Sequence, residues 1–120
     1  MITILIVEDA PSEMKLIDTY LREAHYNVIT ANNGKEGLRK ALAEKPNLVI
    51  TDLVMPEMSG LELCRSLKKN PNTNNIPVIA CTSKDQELDR MWGLKQGIDI
   101  YLTKPFTKDE IVNAIKSLTS

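Results

Sequence analysis

Three acidic residues stand at the ends of apolar runs and are the first candidates for chemistry. Glu8 and Asp9 follow Ile4-Leu5-Ile6-Val7, and Asp52 closes Leu48-Val49-Ile50-Thr51. A continuous aliphatic and β-branched run reads as a strand covered on both faces, so a carboxylate at its end emerges at one rim of a parallel sheet. Two such strands side by side gather Glu8, Asp9 and Asp52 into one acidic cup. Carboxylates this close oppose one another's ionisation unless a cation neutralises them. The expected chemistry is a hard divalent metal on oxygen ligands beside an aspartate able to act as a nucleophile.

The elements that position these acids alternate along the chain. Apolar runs at 2–7, 27–31, 47–51, 76–81 and 98–102 read as strands. Between them, apolar residues recur at helical spacing: Met14, Ile17, Leu21 and Ala24, then Leu63, Cys64 and Leu67, and last Ile111, Ala114, Ile115 and Leu118. Asn33 with Glu36, Ser59 with Glu62, Ser83 with Gln86 and Thr107 with Glu110 have capping-box spacing, and Pro11 suits a first helical turn. The polar string Asn70 to Asn75 reads as a surface connection. Five βα units in succession predict an α/β doubly wound fold, an open parallel sheet with helices on both faces. Ligands of such sheets bind beyond the carboxyl ends of the strands. That rule brings Glu8, Asp9, Asp52, Thr82, Ser83 and Lys104 to one rim. The set could bind Mg²⁺, activate an aspartate and neutralise an incoming phosphoryl group.

Composition narrows the classes. The 120 residues read as one domain over 1–120. A net charge of -1 with interspersed signs gives no basic stripe for nucleic acid. No apolar segment approaches the ~20 residues that span a bilayer, and the start lacks signal-peptide character, so a cytoplasmic location without membrane contact is expected. Cys64 and Cys81 read as buried small hydrophobes. His25, the single histidine, reads as structural at a helix end, and Trp92 as a packing residue or a partner contact.

The motifs together resemble the receiver domains of bacterial two-component response regulators, over the whole chain. Glu8-Asp9, Asp52 with Val54-Met55-Pro56 and Gly60, Thr82-Ser83, Asp89-Arg90 with Gly93-Leu94 and Gly97, and Tyr101-Leu102 with Lys104-Pro105-Phe106 fall in that family's order and spacing. The resemblance implies a flavodoxin-like (βα)5 sandwich with strand order 2-1-3-4-5. It implies that Asp52 accepts a phosphoryl group from a histidine kinase or histidine phosphotransfer domain. Mg²⁺ would be held by Glu8, Asp9, Asp52 and the Val54 backbone carbonyl. Thr82 and Lys104 would contact the phosphoryl group, and the Lys104–Pro105 bond is expected to be cis. Thr82 and Tyr101 would relay a switch to a protein target at the face of the fourth helix, fifth strand and fifth helix, with Arg90 and Leu94 as further members.

Two positions would tune the phosphorylated state. Val54 cannot orient a hydrolytic water, which favours a long lifetime, and Lys84 could attract phosphodonors or a partner's acids. The fifth helix closes the chain, so a monomeric, stand-alone receiver is expected, acting on a protein target or serving as a phosphate sink or phosphorelay carrier. The stretch 82–97 resembles single-domain receivers of chemotaxis-like systems governing pilus-driven motility. Other classes fit less well. A phosphohydrolase lacks a second domain or cap, and a flavin carrier would need Ser, Thr or Gly where Glu8-Asp9-Ala10-Pro11 stands.

Overall fold

Successive side chains of a strand point to opposite faces, and the central strands here are apolar at both. In the computed structural model, which describes residues 1–83 and 96–119, β1 (Thr3–Val7), β3 (Leu48–Asp52) and β4 (Val78–Thr82) are buried almost throughout. Leu5, Val7, Val49, Val78 and Ala80 feed one core with Ala41, Leu63, Cys64 and Leu67. Ile4, Ile6, Leu48, Ile50, Ile79 and Cys81 feed the other with Ile17, Leu21, Ile111 and Ile115. β2 (Asn27–Ala31) and β5 (Ile100–Thr103) lie at the edges and are only half-buried. All pairings are parallel, in the order β2-β1-β3-β4-β5. Helix α1 (Pro11–Glu23) and the C-terminal helix (Lys108–Thr119) cover one face, and α2 (Gly34–Glu44) and α3 (Gly60–Lys69) the other. This is the flavodoxin-like sandwich expected from the sequence.

The helix starts follow local chemistry. Ser59 and Glu62 form a reciprocal capping box, as do Thr107 and Glu110. The Asn33 side chain accepts from Glu36 N at 2.8 Å, but Glu36 reaches past the cap to Asn32 N, so the expected box closes one residue early. Pro11 opens α1, where its missing N–H leaves nothing unsatisfied.

Two expectations are corrected in detail. The polar string 70–75 is not wholly superficial, because Thr73 is fully buried and donates its hydroxyl to the Leu67 carbonyl at 2.7 Å. His25 stands at a helix end, as expected: it adopts φ 67° just past α1, and its backbone N–H donates to the Arg22 carbonyl. β5 begins at Ile100 rather than 98. The Ser83–Gln86 cap, Lys84, Arg90, Trp92 and Leu94 fall on or extend into positions 84–95, outside the described residues, as does the fourth helix of the sequence reading. No helix among the described residues is long and apolar enough to cross a membrane.

Candidate functional site

The sheet register builds the site. Val7 pairs with Thr51, and Asp52 pairs with Cys81, so the ends of β1, β3 and β4 align at one rim. Beyond them the ladders continue: Glu8 N donates to the Ala31 carbonyl at 3.1 Å, and Lys104 N to the Thr82 carbonyl at 2.7 Å. Carboxylate oxygens of Glu8, Asp9 and Asp52 lie within 4.8 Å of one another. Glu8 is buried, Asp52 half-buried and Asp9 exposed. The acids expected to meet do meet.

Into this cup Lys104 extends its ammonium, 2.9 Å from Asp52 Oδ1 and 3.2 Å from Glu8 Oε1. The Lys104–Pro105 peptide bond is cis, as expected. A third carboxylate reaches the same ammonium: Glu13 Oε1, at 3.0 Å. The sequence reading missed Glu13. Its signal was present, because helical side chains lean toward the N-terminus and a residue in the first turn after Pro11 therefore faces the rim.

Burial sets the electrostatics. Glu8 is pushed up to about 7, by loss of water first, against the opposing pull of the Ala10 N–H and Lys104, while the charge on Asp52 raises it further. Asp52 is also raised, mainly by burial, with the hydrogen bond from Lys104 opposing. For Lys104, burial works against the charge, but hydrogen bonds to Asp52 and Glu13 and the nearby carboxylates hold it above the ordinary lysine range. One ammonium does not balance four carboxylates in a half-dry cleft. The donor set, three carboxylates with converging oxygens, fits a hard divalent cation, which would supply the missing charge.

The remaining expected residues occupy graded positions. Thr82 is fully buried at the end of β4, its hydroxyl 3.2 Å from the Ser83 carbonyl. Val54 lies on the loop two residues past Asp52 and is 57% exposed. Tyr101 pairs in register with Ala80, packs against the α2–α3 side of the core and has a buried hydroxyl. Gly60 is forced by close approach: a Cβ there would sit 2.3 Å from the Asp52 carbonyl oxygen, while its N–H donates to Leu53 O at 2.8 Å. Both cysteines are buried, and burial raises their thiols, Cys64 to about 11 and Cys81 to about 12.

Protein PilH of Pseudomonas aeruginosa is 42% identical over 118 residues, covering 98% of each chain. The alkaline phosphatase synthesis transcriptional regulatory protein PhoP of Bacillus subtilis is 38% identical, but the chain spans only 47% of its length. In three dimensions, the receiver domain of the sensor histidine kinase PA1611 of Pseudomonas aeruginosa superposes with a TM-score of 0.90 at 28% identity. The alignment covers 98% of this chain and 96% of that one, and that structure has a magnesium ion coordinated in its active-site cleft. The family model for the response regulator receiver domain matches residues 4–116. A match of that extent decides the family: the chain belongs to the response regulator receiver domains, Mg²⁺-binding phosphoacceptor modules.

Proposed function

We propose that Asp52 is the phosphoacceptor of a two-component phosphorelay and that Glu8, Asp9, Asp52 and the Val54 backbone carbonyl hold Mg²⁺. The observation that carries this reading is the Lys104 ammonium 2.9 Å from the Asp52 carboxylate, inside the same cup as Glu8 and Asp9. An Asp52 oxygen attacks the phosphorus of a phosphohistidine; a P–O bond forms, the P–N bond breaks, and its electron pair leaves with the imidazole. Held by these residues, Mg²⁺ would supply positive charge that offsets the carboxylates and the charge of the transferring phosphoryl group. Lys104 neutralises a second phosphoryl oxygen, and Thr82 donates its hydroxyl to a third.

The acyl phosphate adds a charge of roughly -1.5 to -2 and new acceptor oxygens. Thr82 and Tyr101 convert that local event into a change at the fourth helix, fifth strand and fifth helix, where a protein target binds; Arg90 and Leu94 belong to that face. The donor is a histidine kinase or a histidine phosphotransfer domain. The match to PilH over 98% of each chain supports a receiver domain over 1–120; under this reading it is a stand-alone monomer working in the cytoplasm. The resemblance of 82–97 to single-domain receivers supports a role in pilus-based motility or taxis. Val54, unable to orient water, favours a long-lived phosphorylated state.

Incubation with acetyl phosphate and Mg²⁺ tests the chemistry. One base-labile phosphoryl group on Asp52, absent from Asp52→Asn, is expected; label on Thr82 or Ser83 instead overturns the assignment.

A further inference from the structure

Glu13 occupies the third position of α1, after N-cap Ala10, Pro11 and Ser12. A glutamate there ordinarily reaches back to the backbone N–H of the N-cap residue. In this chain that N–H is already taken: Ala10 N donates to Glu8 Oε2 at 3.1 Å. Ala10 also offers no side-chain oxygen to complete a box. The Glu13 carboxylate instead crosses to Lys104 Nζ at 3.0 Å. Glu13 and Lys104 share a cleft of about 360 Å³ with Leu16, Ile17, Pro105 and Phe106.

The ammonium has three N–H groups. Three carboxylates, from Asp52, Glu8 and Glu13, surround it. A phosphoryl group arriving on Asp52 therefore meets an ammonium already enclosed by carboxylates, hydrogen-bonded to Asp52 and Glu8 and ion-paired with Glu13. Asp52 is the acceptor and Glu8 is buried at the metal cluster, whereas the Glu13 side chain is 42% exposed and can swing into water. We propose that Glu13 is the displaceable counter-ion of Lys104, a positioning residue that holds the ammonium at the α1 side of the cup in the resting state and restrains acceptance of the phosphoryl group. The inference rests on the phosphoacceptor reading of Asp52.

The size of the restraint follows from the exposure of the pair. Half-exposed ion pairs contribute little, so its removal should favour the phosphoryl-bound state about two- to fivefold. With saturating Mg²⁺, Glu13→Gln is expected to bind the phosphoryl mimic beryllofluoride about two- to fivefold more tightly than wild type and to take label from acetyl phosphate faster. Glu13→Asp keeps the charge but is one methylene short of Lys104; it should shift beryllofluoride affinity in the same direction as Gln. Wild-type affinity in Glu13→Asp would reduce Glu13 to a diffuse charge and overturn the pairing. The ¹⁵N signal of the Lys104 ammonium gives a readout that folding defects do not mimic. Wild type and Glu13→Gln should differ in the resting state and converge once beryllofluoride is bound. A difference that persists in the bound state, or unchanged affinity in Glu13→Gln, overturns the proposal. Failure of wild type itself to take label on Asp52 removes the underlying reading, a result distinct from any Glu13 effect.

Discussion

At the scale of single residues, the site is governed by charge in a place with little water. Glu8 loses its hydration and is pushed up to about 7, well above its ordinary 4.5. A carboxyl whose folded pKa lies above its unfolded value binds more protons folded than unfolded between those two values, so its contribution to stability declines as pH rises through the window. Metal-free protein should therefore lose melting temperature between pH 4.5 and 7, and the raised Asp52 adds in the same direction. Saturating Mg²⁺ should flatten this slope, because the cation favours the ionised carboxylates. Thermal melts of wild type and Glu8→Gln across that range, with and without Mg²⁺, check both statements; a metal-free difference in slope of opposite sign refutes the assignment. Lys104→Met should cost about 1–3 kcal/mol at pH 8, since it leaves Glu8 and Asp52 without their cation. The cost should shrink at pH 5, where Glu8 is protonated, as denaturant titrations at the two pH values would show.

Among elements, the loop from β3 to α3 is held by a backbone-to-backbone approach. Gly60 lets the start of α3 lie against the Asp52 carbonyl, and its N–H ties back to Leu53. A methyl group 2.3 Å from a backbone oxygen has no flexible neighbour to displace, so Gly60→Ala should destabilise by about 1–3 kcal/mol and move the loop bearing Val54. Ser59→Ala, which removes only the adjacent cap, should cost about 1 kcal/mol. If the loop geometry matters to the metal, Gly60→Ala weakens Mg²⁺ binding measured by calorimetry while Ser59→Ala does not. Equal Mg²⁺ affinities in the two variants would show that the close approach serves packing alone. The capping residues were legible because a cap is decided within four residues. Glu36 departs from the pattern because an equally near N–H, that of Asn32, was available.

For the whole molecule, the question is how Asp52 reaches a distant surface. β4 carries Thr82 at its end, and Tyr101 on the neighbouring strand sits opposite Ala80, two residues back. Coupling over such a distance needs parts with two arrangements. Thr82→Ala should leave Mg²⁺ binding near that of wild type and Asp52 labelling within about tenfold of it, since one hydroxyl hydrogen bond contributes about 0.5–1.5 kcal/mol. It should nevertheless reduce the beryllofluoride-induced NMR shifts at Tyr101. Identical shifts in wild type and Thr82→Ala would remove Thr82 from the relay.

Sequence alone determined the alternation of strands and helices, the two-faced burial of β1, β3 and β4, and the placement of Glu8, Asp9, Asp52 and Lys104 at strand ends. These are readable because hydrophobic period and run length are local properties, and because every parallel strand delivers its end to the same rim. Sequence spacing says nothing of which side chain wins a shared partner. Only the tertiary structure decided that Glu13 turns to Lys104, because that choice depends on Glu8 having already taken the Ala10 N–H from a strand end five residues earlier. The inward turn of Thr73 is of the same kind. Each polar group there satisfies itself with whatever the packed chain leaves within reach, and that inventory exists only after folding.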